Sequence, residues 1–315
     1  MPNWKDALLK SSLPLEQVVM ETLELSSFCV AGPYSYSRLD DSATGNEFSV
    51  DLAASRELTG PDGSPLAVLH ILVECKYQYP GVRWIFSASA AGTPAVAGPI
   101  AHVSDTDTGK MSGANALLAI EDALPYCTRG VVLHEGGVDS NTIDHGLGQL
   151  RYAIPHQLRA ITTLQMREWN EKSFTIRFVS PLLVTNAPLY VLKRGLTLDS
   201  FQAAADINSI ADNVSALIAH QPPGPTLQQH LHRVVHQLEQ DGICKWLQER
   251  FPLTLKKSGH LGPLELIEAK FLQASHNSLV INLGCLTDMI GKLRAPIERT
   301  LKDSRTKTWP RAKAR

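Results

Sequence analysis

The stretch from Glu47 to Lys76 constrains the fold more than any other part of the chain. One strand-like run, Glu47-Phe48-Ser49-Val50-Asp51-Leu52, precedes Gly60-Pro61-Asp62-Gly63, and a second, Val68-Leu69-His70-Ile71-Leu72-Val73, delivers Glu74-Cys75-Lys76. Two β-prone runs flanking Asp-Gly predict a hairpin. With Asp62-Gly63 as a two-residue loop, paired residue numbers total 125, as 62 and 63 do. Asp51 then stands opposite Glu74, and Ser49 opposite Lys76. The Gly/Pro-rich connection also admits a longer loop. Alternation assigns Val50, Leu52, Ile71, Val73 and Cys75 to a core face, and Asp51, Glu74 and Lys76 to the other. Directly opposed Cβ atoms lie about 5 Å apart, so two carboxylates could share one divalent cation with a lysine beside them.

Composition bounds what surrounds this hairpin. A chain of 315 residues, 43% hydrophobic and 19% charged, can build one large core or two ordinary ones. The most apolar early run, Leu13 to Leu25, carries Glu16, Glu21 and Glu24 and does not read as a membrane span. The start, Met1-Pro2-Asn3-Trp4-Lys5-Asp6, shows no secretory pattern. Five scattered cysteines, at 29, 75, 127, 244 and 285, lack paired zinc spacing and suit a reducing cytoplasm. Net charge is −1, yet Lys292 to Arg315 holds nine Lys/Arg against Glu298 and Asp303. That basic tail is a candidate contact for phosphate backbones, or a solvated terminus.

Periodicity predicts a helix over 12–26, capped by Ser11 or Ser12, with Pro14 in its first turn. A short strand at Phe28-Cys29-Val30 and a polar loop over 34–46 lead into the hairpin. Val82-Arg83-Trp84-Ile85-Phe86 predicts a third strand, 87–140 an insertion with a helix over 114–124, and 142–169 a long helix, with Pro155 a candidate kink. Strands follow at 181–186 and 189–192. From 196 onward the pattern is mainly helical, near 198–219, 226–250 and 263–275, with a short strand at 278–283 whose partner the sequence does not reveal. The expected organisation is a domain over 1–195 and a helical region over 196–315 that ends in the basic tail.

The element order and Asp51…Glu74-Cys75-Lys76 resemble the PD-(D/E)xK nuclease superfamily, most of all Mrr-like restriction endonucleases and archaeal Holliday-junction resolvases. The resemblance covers about residues 12–193 and implies a mixed α/β fold with an α-β-β-β-α-β core. It matches Glu16, in Pro14-Leu15-Glu16-Gln17-Val18-Val19, to a first-helix glutamate. Gln149-Leu150-Arg151-Tyr152 is similar to the Q-x-x-Y element of RecB-type members. Val50 stands where a proline often precedes the first acid. Glu268-Ala269-Lys270 is also E-x-K, but it falls in a helical pattern with no strand acid before it, so the bare triplet says little.

This resemblance implies a Mg²⁺-dependent endodeoxyribonuclease, with Mn²⁺ able to substitute, acting on DNA in restriction, phage defence or repair. Asp51, Glu74 and the main-chain carbonyl of Cys75 would hold the metal, and Glu16 or Glu47 a second one. Lys76 would orient the attacking water, and Gln149 and Tyr152 would support the site. The C-terminal region is left to substrate, a protein partner or a second copy of the chain. The alternative is a non-catalytic nucleic-acid-binding or assembly protein that retains the nuclease-like fold. A separate structural reading makes Asp51, Glu74 and Lys76 a surface ion-pair ladder on a solvated sheet face.

Overall fold

The computed structural model describes residues 4–38, 46–59, 65–89, 98–102, 117–118, 120, 124–168, 175–250 and 262–305. Helices α1 (Trp4–Lys10) and α2 (Leu13–Leu25) come first, then strands β1 (Cys29–Ala31), β2 (Tyr34–Ser37), β3 (Glu47–Val50), β4 (Leu52–Thr59), β5 (Pro65–Lys76) and β6 (Arg83–Ala88). Strands β7 (Ile100–His102), β8 (Leu117–Leu118), β9 (Tyr126–His134) and β10 (Gly137–Asp139) precede the long helix α3 (Asn141–Glu168). After it come β11 (Ile176–Thr185), β12 (Leu189–Leu192), α4 (Leu198–Ala203), α5 (Ile207–Ile210), β13 (Ala211–Val214) and β14 (Ala216–His220). Helices α6 (Pro225–Gln240), α7 (Ile243–Arg250) and α8 (Pro263–Ala274), strand β15 (Asn277–Asn282) and helix α9 (Leu286–Arg305) complete the described chain.

Most strands join one mixed sheet in the order β1-β4-β5-β11-β15-β14-β9-β6-β12-β13, while β2 and β3 form a separate two-stranded ribbon. Both faces of the large sheet are covered. Val179, Leu183, Leu217 and Val280 point into a core shared with α3, α6 and α8. Their neighbours Leu182, Val184, Ile218 and Ile281 point into a second core shared with α2 and α9. This alternation along single strands is the period-two pattern of a sheet between two helical layers. Leu15, Val19 and Leu23 form the buried stripe of α2. Ser12 precedes that helix at φ 61°, without a side-chain cap, where the sequence predicts a Ser cap.

Several expected elements move. The register of β4 against β5 runs from Leu52↔Val73 to Leu58↔Ala67, so paired numbers total 125 as expected, with a shift at Leu58/Thr59. The Asp-Gly loop itself lies outside the described residues. Ser49 does not face Lys76: the run breaks at Asp51, and β3 peels away to pair with β2, placing Ser49 opposite Ser35. Val50 accordingly joins the core on the α3 side, away from Leu52. The polar loop expected over 34–46 contains β2. The strand near Val82 forms as β6, but it pairs with β9 and β12 at the far side of the sheet. Beside the hairpin its place is taken by β1, antiparallel to β4.

Leu117 and Leu118 are a strand where a helix is expected, and β9 from the same insertion is an interior strand of the sheet. Among residues 198–219, two short helices and strands β13 and β14 replace the expected helix. β15 lies between β11 and β14, which supplies the partner its sequence does not reveal. The large sheet therefore runs across the residue-195 boundary. Helix α3 continues through a buried Pro155. Residues 306–315 of the basic tail lie outside the described residues. The earlier part of that tail, through Arg305, belongs to α9, where Leu293 and Ile297 are buried. Among the described residues, no helix is long and apolar enough to cross a membrane.

Candidate functional site

Strand β5 ends under α3, and its last residues carry the chemistry. Cys75 points into the α2 core, so its neighbours Glu74 and Lys76 point toward α3. Gly146 makes that approach feasible. A Cβ there would meet Leu183 Cδ1 at 2.8 Å and Lys76 Cε at 3.2 Å. The bare backbone of α3 lies directly over the Glu74–Lys76 pair.

Asp51 sits at the break between β3 and β4, and its Oδ2 accepts the main-chain N–H of Cys75 at 2.6 Å. This bond fastens the start of one strand to the end of the other. Lys76 Nζ donates to Glu74 Oε1, and to Gln149 Oε1 at 3.3 Å. Gln149 Nε2 in turn donates to Ser49 O at 3.0 Å, and the Tyr36 hydroxyl donates to Gln149 O at 2.9 Å. The Gln149 amide is thereby oriented, with its oxygen on the ammonium and its nitrogen on a carbonyl. Beyond the strand, Asn186 brackets Gln78 through both its N–H and its carbonyl, at 2.7 Å each.

Glu74 is 1% exposed, which excludes an ion-pair ladder on a solvated face. Its Oε1 has Lys76, but its Oε2 is buried without a hydrogen-bond partner. Burial, then the charge of Asp51, lifts the Glu74 carboxyl to about 7, against the opposing pull of Lys76. Asp51 is also raised, by burial, with the Cys75 N–H and Lys76 opposing. Glu16 on α2 is raised by burial and then by Asp51, with Lys76 opposing, so it shares the field of the same cluster. Glu47 is exposed on β3 opposite Ser37. Burial pushes the Cys75 thiol up, as suits a core cysteine.

Contacts therefore join Asp51, Glu74, Lys76 and Gln149 directly or through Cys75, and electrostatics adds Glu16. Tyr152 stands apart from the acids: it lies on α3 one turn beyond Gln149, with the Arg38 guanidinium 4.3 Å over its ring and the His230 ring at 5.0 Å. The E-x-K at Glu268 sits within helix α8, as its pattern predicts. Sequence reasoning misses Gly146, Tyr36 and Arg38. Gly146 has one readable signal, a glycine inside a long helical pattern, which often marks a close approach.

Among the described residues, no group of three or more His, Cys, Asp or Glu side chains is arranged to hold a metal ion. The donor set still suits Mg²⁺. That ion keeps several waters and is bound through one or two carboxylates plus substrate phosphate, rather than by an all-protein cage. The unpartnered Oε2 of Glu74 is the kind of buried oxygen a hard cation would satisfy. Comparisons with family models, curated proteins and solved structures give no match, so a functional reading rests on the geometry of this chain.

Proposed function

We propose that the chain is a metal-dependent DNA nuclease that hydrolyses phosphodiester bonds at the end of β5. One observation carries this reading: Glu74 is buried with a free carboxylate oxygen, beside Asp51 and paired to Lys76. Such an arrangement is hard to account for as a structural ion pair, because burying a carboxylate with one unmet oxygen is costly. The element order supports it too. Helix α2, strands β1, β4 and β5 in an antiparallel meander, helix α3, and strand β11 parallel to β5 follow the α-β-β-β-α-β order of the resembling superfamily.

Asp51, Glu74 and the Cys75 carbonyl would hold Mg²⁺ or Mn²⁺, with Glu16 as an outer acid. The bound ion would supply an acidified water and shield the phosphate charge. The chain's own contribution starts with Lys76. Its ammonium is held between Glu74 and Gln149, so positive charge is fixed beside the reacting phosphate without reorganisation during the reaction. Gln149, anchored on Ser49 O, gives the ammonium a second acceptor beside Glu74.

The test is cleavage of linear, circular, branched and single-stranded DNA with Mg²⁺, Mn²⁺ or Ca²⁺. Asp51→Ala and Glu74→Ala should each abolish metal-supported cleavage, and Ca²⁺ should bind without turnover. Parental rates in both variants would discard this site. Lys76→Ala should lower the single-turnover rate while leaving DNA binding in place, because its role is in the transition state. Full rescue by Lys76→Arg would show that charge alone is needed.

A further inference from the structure

Arg38 occupies a position that nothing in the acidic cluster requires. Its guanidinium is stacked between two rings, Phe48 at 4.1 Å and Tyr152 at 4.3 Å, and its Nε is buried without a hydrogen-bond partner. Tyr36, whose hydroxyl feels the Arg38 charge, also donates to the carbonyl of Gln149. Tyr152 and Gln149 are three residues apart on one face of α3, so Arg38 stands about one helical turn, roughly 5 Å along the axis, from the Lys76–Gln149 contact. A cation held rigid by aromatic faces, with no ion pair to a carboxylate among the described residues, is prepared for an anion from outside the chain. Guanidinium geometry favours phosphate.

We propose that Arg38 is a positioning residue that grips a DNA phosphate flanking the bond cleaved at Glu74 and Lys76. The proposal rests on the nuclease reading and adds the register of the strand to it: the backbone would run along α3, from Lys76 toward Tyr152. Arg38 would then set where the strand lies, while Lys76 acts on the reacting group.

The experiment is fluorescence anisotropy with a labelled DNA oligonucleotide in Ca²⁺, from about 50 to about 200 mM salt, on the full chain and on Arg38→Gln and Arg38→Lys, with folding checked by circular dichroism. Arg38→Gln should lose on the order of tenfold in affinity at low salt, and its salt slope should flatten by about one phosphate contact. In Mg²⁺ its KM should rise by a larger factor than its kcat falls. A merely structural Arg38 would change melting but leave the slope alone. Arg38→Lys should keep the slope and lose affinity severalfold, which covers a folding failure of the Gln variant. Parental affinity and slope in the folded Gln variant, or parental affinity in the Lys variant, overturns the assignment while the nuclease reading stands. A parental chain that neither binds nor cleaves DNA removes that reading, and this proposal with it.

Discussion

A buried carboxylate with one oxygen on a lysine and the other on nothing is costly to maintain, and Glu74 is held that way. The sign of its effect on stability follows from its raised carboxyl. Burial and Asp51 take it to about 7 from an ordinary 4.5, so the folded chain keeps a proton that the unfolded chain has lost. The associated stability is complete below the unfolded value and disappears as pH rises through about 7. A shift of this size corresponds to about 3 kcal/mol. Urea titrations should therefore show parental stability falling between about pH 5 and pH 8, and Glu74→Gln should flatten that fall. An equal slope in the variant would assign the pH dependence to another group. Magnesium reads the same carboxylate without any turnover. At about pH 8 it should raise the melting temperature of the parent and not of Glu74→Gln, as a ligand that binds only the folded state does.

Between elements, the decisive contact is α3 lying on the end of β5, and two glycines of that helix separate packing from propensity. Gly146→Ala would drive a Cβ into Leu183 and Lys76, whereas Gly148 has nothing within 4 Å of such a Cβ. Replacing an interior helical glycine by alanine normally gains about 1 kcal/mol, so Gly148→Ala should be stabilising. Gly146→Ala should instead cost about 1–3 kcal/mol through overpacking and displace the ammonium from Glu74, with cleavage lost. Thermal melts of both variants check this, and equal gains would mean that α3 does not press on the pair. The sequence made part of this arrangement legible. The Leu52↔Val73 register was readable because alternation and the Asp-Gly pair act locally, and α3 because its apolar stripe is long. The break at Asp51 was not readable, since Val50 and Leu52 are equally apolar and only tertiary packing sends them to opposite cores. Nor could periodicity show which strand lies beside the hairpin: three-residue β1 outcompetes six-residue β6 for that edge, and strand neighbours are set by long-range pairing. Arg38 meets Phe48 and Tyr152 through an aromatic sandwich, which has no local signature, whereas Gln149 is legible through Gln149-Leu150-Arg151-Tyr152 although its bond to Ser49 spans 100 residues of chain.

At the scale of the whole molecule, the C-terminal region and the hairpin are parts of one construction. β15 pairs with β11, which pairs with β5, and α9 packs its Leu286, Met289, Ile290, Leu293 and Ile297 into the same core as α2. The cation-rich segment beginning at Lys292 is thus two things. Through Arg305 it is a helix whose charges are partly engaged, Lys292 with Asp288 at 2.6 Å and Arg294 with Glu298 at 2.7 Å. Beyond it, four further basic residues, Lys307, Arg311, Lys313 and Arg315, follow in the sequence. A cut after Leu293 confuses the two roles, because it also removes the fully buried Ile297. The loss of one such side chain already costs about 2–5 kcal/mol. Truncation after Arg305 is the clean experiment. It should leave the melting temperature unchanged and cleavage at saturating DNA near the parental rate, since Asp51, Glu74 and Lys76 stay in place. If all four removed cations touch phosphates, the logarithmic salt slope for duplex DNA should fall by about 3.6, at about 0.9 per contact. A slope equal to the parent's would assign DNA contact to the folded body, leaving the last ten residues as solvated charge. Truncation after Leu293, measured beside it, should unfold at a lower temperature whatever the tail does, and equal melting of the two truncations would mean that Ile297 does not support the α2 core.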